Sequence, residues 1–481
     1  MNTAHQPHVV IIGGGITGLS AAWFIRKAAA DVRITVLESG GHWGGKVITE
    51  NVDGFVIEAG PDSFLTQKPW ALDLARQLGL TDRLIGTNDH QRTIDVLRRG
   101  VPVPMPDGLN LIVPTRALPF LRSRLLSPWG KARIALDMLI PARRDPADES
   151  LAAFVRRRFG AEALSTLAEP LMAGIYNADP EQQSMAATFP RFQHIERAHG
   201  SLIRGLRAAQ RTAARTAAST PKLPAFMSFQ TGTHALIDAL VTHLEGTVDL
   251  RLHTPADALE RTAAGWRITL NDGDTLTADA VLITTPAYAA APLIRPFAPD
   301  AADLLDGIRY VSSGTVSLAY RTSAIPRPLH GFGMLIPADE RQPINAITVS
   351  STKFDGRAPD GYTLLRAFFG GTRTPRTLAL DDDGVVNTVR EVLRRVLGIQ
   401  AAPQLHRVYR WHNAQPQYDV NHLERVNAIE AALPDGMYVT GSAFRGVGLP
   451  DCVHQAQTTA ARALDALQRR AVFDPQERVI T

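Results

Sequence analysis

The chain has 481 residues, 45% hydrophobic and 20% charged, an ordinary globular composition with length enough for two or three domains. Its 51 basic side chains face 47 acidic ones, and a net charge of +4 is too balanced to single out nucleic acid as a partner. Cys452 is the only cysteine, which excludes an intramolecular disulfide and a cysteine-based zinc site and suits a reducing interior; no metal site is expected.

The first strand is entered by about residue 9, leaving no room for a secretory leader, and no apolar run reaches the length of a membrane span. The expected location is therefore cytoplasmic.

Val9, Val10, Ile11 and Ile12 run apolar without alternation, as a strand buried on both faces does. Gly13, Gly14, Gly15, Ile16, Thr17 and Gly18 follow, fitting G-x-G-x-x-G, with a helical pattern directly after. Gly13 allows the turn, Gly15 lets a pyrophosphate approach the backbone, and Gly18 lets the helix pack on the strand. The helix N-terminus offers free N–H groups to phosphates. Glu38, twenty residues past Gly18 at the end of a second apolar strand, can accept from both ribose hydroxyls and would repel a 2′-phosphate. The motif predicts a dinucleotide site and disfavours NADP.

Gly44, Gly45 and Lys46 come next. A second glycine pair is not needed to hold a nicotinamide, whereas the longer FAD must be gripped beyond its pyrophosphate, so FAD fits better. Gly60, Pro61, Asp62 and Ser63 read as a rigid turn or as a backbone cradle near an isoalloxazine. Residues 70–84 are predicted as an amphipathic helix, and residues 92–106 as two short strands closed by Pro102, Pro104 and Pro106.

From 109 to 144 the character changes. Large apolar side chains and a tryptophan are interspersed with Arg116, Arg122, Arg124, Lys131, Arg133, Arg143 and Arg144 against one acid, Asp137. This composition suits either an anionic membrane interface or a helical subdomain with a solvated basic face. Two further helices are predicted by residue 176, and 204–224 reads as an exposed helix running into a linker.

A helical pattern resumes near His234, followed by strands, the last ending at Pro286 and returning to the nucleotide sheet. The stretches 311–320, 331–337, 344–350 and 362–371 alternate as a second, largely antiparallel sheet, and 385–397 is amphipathic. Residues 436–466 close the nucleotide fold with a strand, Gly441, the loop Gly446-Val447-Gly448-Leu449-Pro450 and an Ala-rich helix. The N-terminus of that helix can favour an anionic reduced flavin.

The set VVIIGGGITGLSAA, GGK, GPDSF, DESLAAFVRRRFG, EPLMAGIY, HGFGMLIP and GSAFRGVGLPDC, with DPEQQSM and HGSLIRG, resembles the protoporphyrinogen/coproporphyrinogen oxidase family of haem biosynthesis along nearly the whole chain. The resemblance implies an FAD enzyme that oxidises a porphyrinogen to the porphyrin in three two-electron rounds, with O2 reoxidising the flavin. It implies an α/β (α+β overall) architecture: a discontinuous Rossmann-like FAD-binding domain (1–85, 225–295, 405–470), a mixed-sheet substrate domain (86–108, 296–404) and a helical subdomain (109–224) that can face a membrane.

By matching motifs, FAD would be held by Gly13 through Gly18, Glu38, Ser39, Gly45, Lys46, Gly60 to Ser63, Ala256 through its backbone, Trp411, Gly441, Val447, Gly448 and Leu449. Arg92 is the expected propionate partner, with Phe332, Gly333 and Leu335 lining the substrate slot; Arg92, Arg98 and Arg99 tilt the choice slightly toward coproporphyrinogen, although a strand places 98 and 99 on opposite faces, so at most one of that pair can help. No protein side chain is assigned as catalytic, and Cys452 is read as a small buried hydrophobe. Beyond porphyrinogen and O2, the expected partners are a haem-pathway enzyme, a second copy and peripheral membrane through 109–144.

The chain departs from the family pattern with Ala256 for valine, Gln415 for methionine, and Asn421 and Ala456 for glycine; Ala456 bears on where the last helix starts. The rival readings are a flavin amine oxidase or carotenoid-type desaturase and, without catalysis, an escort or GDP-dissociation-inhibitor protein. An intact Gly44-Gly45-Lys46 and C-terminal glycine loop argue against the last.

Overall fold

The computed structural model describes residues 5–216 and 223–473. Five parallel strands form the first sheet in the order Asp249–Arg251, Arg33–Leu37, His8–Ile12, Ala280–Ile283 and Met437–Val439. Its central strands are buried on both faces, which is why Val9 to Ile12 carry no polar alternation.

One face is covered by the helices Ile16–Ala28, Trp70–Gln77, Ala235–Leu244 and Leu449–Phe473, the other by Ala287–Ile294 and Pro299–Asp306. Ala21 and Ala22 of the first helix and Ala456, Ala460 and Ala463 of the last are all buried in the same core. Small side chains let the first and last helices lie close, so both N-termini open at the carboxyl ends of the strands.

The second sheet has seven strands: Leu405–Pro416, Tyr310–Arg321, Tyr362–Gly370, Ala346–Val349, Gly333–Leu335, Ile94–Arg98 and Val101–Pro104. All neighbours are antiparallel except Gly333–Leu335 with Ile94–Arg98. Here the sequence reading needs correction: the strand at 405–416 pairs with Tyr310–Arg321, so it belongs to this sheet and the nucleotide fold resumes only after it.

Two other expectations change. The helix foreseen at 70–84 ends at Gln77, because Gly79 takes a left-handed conformation (φ 74°) and residues 84–86 pair as a strand with Phe226–Phe229. The segment 109–144 starts as a small hairpin, Leu109–Asn110 with Val113–Pro114, before its helices Ala117–Arg122 and Pro128–Ala135.

A separate apolar cluster unites that segment with helices Leu151–Phe159, Pro190–His199 and Leu202–Thr216. Asp137, the lone acid at 109–144, is fully buried against Arg158, whose Nε donates at 2.6 Å, and also accepts from Ser201 Oγ at 2.6 Å. The expected linker at 217–222 lies outside the described residues. Among those described, no helix is long and apolar enough to cross a membrane.

Candidate active site

The glycine turn behaves as its spacing implies. Gly13 adopts φ 114°, a conformation side chains rarely take. A Cβ on Gly18 would stand 1.9 Å from the Gly13 carbonyl oxygen, whereas one on Gly15 would meet no atom within 4 Å. Gly18 is therefore a packing glycine, and Gly15 faces a backbone cradle. Gly15 also caps the first helix without help from a side chain, leaving the N–H groups of that turn aimed into the cradle.

Two more turns close on it. Gly44 donates to the Gly14 carbonyl at 2.8 Å, and Gly45 (φ 59°) brings its Cβ position within 3.5 Å of the Gly15 Cα. Gly441 (φ 122°) lies against Thr17, and Val447, Gly448 and Leu449 lead into the last helix beside it. Two helix N-termini and the Gly44–Lys46 turn thus surround one space. Lys46 is half-buried, and the loss of water pulls its ammonium pKa below the usual lysine value, an environment that favours an anionic neighbour.

Glu38 sits at the edge of the cradle, with Oε2 accepting from Gly14 N and Oε1 from Gly40 N, both at 2.7 Å, and Ser39 Oγ at 3.3 Å. A carboxylate has about four lone-pair sites, so capacity remains for ribose hydroxyls. Thr254 donates its N–H to the Glu38 carbonyl at 2.9 Å, which puts the start of the strand Ala256–Thr262 beside the same edge.

At the other end, residues 59–63 form a turn whose first three carbonyls are held. Trp411 Nε1 donates to Ala59 at 2.9 Å, Arg366 donates to Ala59 and Gly60 at 3.0 and 2.6 Å, and Thr233 Oγ1 donates to Pro61 at 2.9 Å. A Cβ on Gly60 would meet the Lys46 carbonyl at 1.8 Å, so this turn is fitted onto the GGK turn. The Lys353 ammonium sits on both Asp62 oxygens at 2.8 and 2.9 Å.

The expected substrate residues cluster at one end of the seven-stranded sheet. Phe332 donates its N–H to the carbonyl of Thr93, next to the exposed Arg92, and its own carbonyl accepts from Val349. Gly333 has φ 148°, and a Cβ there would lie 2.0 Å from the Ile347 carbonyl, so no other residue fits. Leu335 packs toward Gly174 of the helix Glu169–Tyr176. Arg98 and Arg99 are not in this group. Arg98 pairs with Asp339 at 2.9 Å, and Arg99 occupies the hairpin turn with φ 53°, so neither supports the tilt toward coproporphyrinogen.

Two features escaped the sequence reading. Thr285 has a buried hydroxyl with no hydrogen-bond partner, and a Cβ on Gly13 would lie 3.3 Å from its methyl, so it lies against the glycine turn. Its place at the carboxyl end of the strand beside His8–Ile12 was the available signal. Arg366 is the other: an arginine inside the otherwise apolar YTLLRAFFG marks a charge whose partners must come from elsewhere. Cys452 is buried, and that burial pushes its thiol up to about 11, as expected of a packing residue. Asn421 takes the left-handed conformation (φ 68°) that glycine would take without strain, Gln415 accepts from Asn177 Nδ2 at 2.8 Å, and Ala456 lies well inside the helix that starts at Leu449.

A glycine-lined cradle, an acid at its edge, an orphaned buried hydroxyl and a second sheet over its far end have the layout of a dinucleotide-binding oxidoreductase. The chain belongs to the flavin-containing amine oxidoreductase family, which its residues 16–464 match. It is 38% identical to a coproporphyrinogen III oxidase of Propionibacterium freudenreichii subsp. freudenreichii, over 96% of this chain and 92% of that one. It is 31% identical to the chloroplastic protoporphyrinogen oxidase of Nicotiana tabacum, over 96% and 86%. A crystal structure from Exiguobacterium sp. 255-15, named for protoporphyrinogen oxidase, superposes with a TM-score of 0.84 at 32% identity, covering 96% of this chain and 99% of that one. The protein is an FAD-dependent oxidoreductase, and the residues around the cradle fit that cofactor.

Proposed function

We propose that the chain oxidises a porphyrinogen to the porphyrin in haem biosynthesis, with coproporphyrinogen III preferred over protoporphyrinogen IX and O2 as the final acceptor. The observation that carries this is near-full-length similarity, at 38% identity to a coproporphyrinogen III oxidase and 31% to a protoporphyrinogen oxidase. The bound flavin supplies the two-electron acceptor.

The protein's own share is positional. Gly13 to Gly18, Glu38, Ser39, Thr285, Lys46 and the Gly441 and Val447 to Leu449 loops hold the dinucleotide, and residues 60–63 with Trp411 hold its far end. Ala256 contributes through its backbone. Phe332, Gly333 and Leu335 line the macrocycle slot, with Arg92 taking a propionate, since a guanidinium matches a carboxylate fork. The helical unit supplies a peripheral membrane contact: Trp129 is 85% exposed and Leu139 76%, with Leu118, Leu121 and Leu136 also exposed and Arg122, Arg124 and Lys131 among them.

The test is a pair of kcat/KM values for the two porphyrinogens, repeated with Arg92→Ala. The proposal expects a ratio above one for coproporphyrinogen and a raised KM in the variant. A ratio below one reverses the substrate assignment.

A further inference from the structure

Asn177 is the first residue beyond the helix Glu169–Tyr176, in a left-handed conformation (φ 47°), close after the exposed Gly174 that faces Leu335 at 3.7 Å. Its side-chain oxygen accepts from Asn345 Nδ2 at 3.4 Å. The Asn345 carbonyl in turn accepts from Ile336 N at 3.1 Å, directly after Leu335, and the next residue, Ala346, pairs with Leu335 in the sheet. Asn177 is thus tied to the slot wall from both the helix and the sheet.

Its amide is held in one orientation. Asn345 is 1% exposed, and its Nδ2 also donates to the Gly370 carbonyl at 3.0 Å, a backbone acceptor that fixes which end of that amide faces Asn177. Asn177 must therefore turn its oxygen to Asn345, and its Nδ2 donates to Gln415 Oε1 at 2.8 Å on the other side. Gln415 stands on the strand Leu405–Pro416, which also carries Trp411 at the far end of the cradle. Gln417 Nε2 donates to the Tyr176 carbonyl at 3.3 Å and holds the backbone before Asn177. An amide oxygen has two lone pairs and Asn345 takes one. The half-buried Asn177 therefore keeps a neutral acceptor position of fixed direction where the slot wall meets the Trp411 strand.

We propose that Asn177 is a specificity-determining residue whose Oδ1 accepts a pyrrole N–H hydrogen bond from the porphyrinogen but none from the porphyrin, so the slot holds substrate more tightly than product. This rests on the porphyrinogen reading of the site. The meso carbons of a porphyrinogen are saturated, so each pyrrole can tilt and turn its N–H out of the ring toward an acceptor on the wall. Oxidation makes the macrocycle flat and conjugated, removes half of its N–H protons and turns the rest inward. The oxygen then faces a π surface with nothing to donate, and an acceptor shielded from water without its partner favours release. Gln415 acts through Asn177 and is a positioning residue.

The experiment uses the flavin-loaded protein as wild type, Asn177→Gly and Gln415→Met. Glycine suits the left-handed backbone at 177, and methionine replaces the Gln415 amide with a side chain of similar length that offers no carbonyl oxygen. Anaerobic rapid mixing, read by loss of flavin absorbance, gives the Kd for coproporphyrinogen III from its concentration dependence, and fluorescence titration gives the Kd for coproporphyrin III. The readout is the ratio of the porphyrinogen Kd to the porphyrin Kd. The proposal expects that ratio to rise about tenfold in Asn177→Gly and at least about threefold in Gln415→Met, with the porphyrin Kd within about twofold of wild type. A ratio within about twofold of wild type, in either variant that keeps its flavin, overturns it; a parallel rise of both constants, the mark of a loosened wall, counts as that result. Failure of the porphyrinogen reading shows instead in the wild type, whose flavin is then bleached by neither coproporphyrinogen III nor protoporphyrinogen IX.

Discussion

Gly44 donates its backbone N–H to the carbonyl of Gly14 at 2.8 Å, so the second glycine turn is stitched onto the first and the two share one wall of the cradle. Gly44 holds φ 94°, and a Cβ there would stand 2.9 Å from Ile237 Cγ1. Gly44→Ala is expected to cost about 1–2 kcal/mol in backbone strain alone and to push the turn off the cradle. The purified variant then carries less flavin per chain, read from its visible absorbance; a wild-type flavin content contradicts the role given to this turn.

The buried Asp137–Arg158 pair is a liability as well as a clamp. Breaking such a pair from one side leaves an uncompensated charge, so Asp137→Asn is expected to lose about 3–5 kcal/mol of stability. The loss appears as a lower urea midpoint for the helical unit, and an unchanged midpoint rules the clamp out.

Much of this was legible in the chain. Unalternated apolar runs named the buried strands, glycine spacing named the tight turn between the first strand and its helix, and Gly44 and Gly45 pointed to a cofactor longer than NAD. What failed was set by tertiary partners: the strand at 405–416 reads the same whichever sheet it joins, and only its pairing with Tyr310–Arg321 assigns it. Arg98 and Arg99 looked available because Asp339 and Glu340, which engage that hairpin, lie some 240 residues away. Arg366 was missed for the same reason, its partners being the carbonyls of residues 59 and 60.

His422 gives the fold a pH dependence with a defined sign. Its ring stacks on Tyr418 with centroids 4.1 Å apart, Nε2 donates to the Phe444 carbonyl at 2.8 Å, and Nδ1 is buried without a partner. Burial lowers its pKa to about 4, so the folded state binds the proton less readily than the unfolded state. Stability from this group is therefore full above the unfolded value near 6.5 and is lost as pH falls toward 4. Between pH 6.5 and 5 the wild type should lose roughly 1 kcal/mol per pH unit more than His422→Phe, measured by urea unfolding. Parallel pH profiles for the two proteins would remove His422 from the account.

The exposed apolar and basic face of the helical unit makes its own prediction. In flotation with anionic vesicles at low salt the protein rises with the lipid, and replacing Trp129 and Leu139 by serine returns most of it to the soluble fraction. Protein that stays wholly soluble as wild type contradicts a membrane contact there.

The most direct measurement is porphyrin fluorescence growth in air with the flavin-loaded protein and coproporphyrinogen III, alongside the rate of O2 uptake. Porphyrin should form well above the autoxidation blank, at roughly three O2 per porphyrin as three two-electron rounds require, and vanish when flavin is stripped. No growth from a protein that carries its flavin, with protoporphyrinogen IX equally inert, would contradict the account.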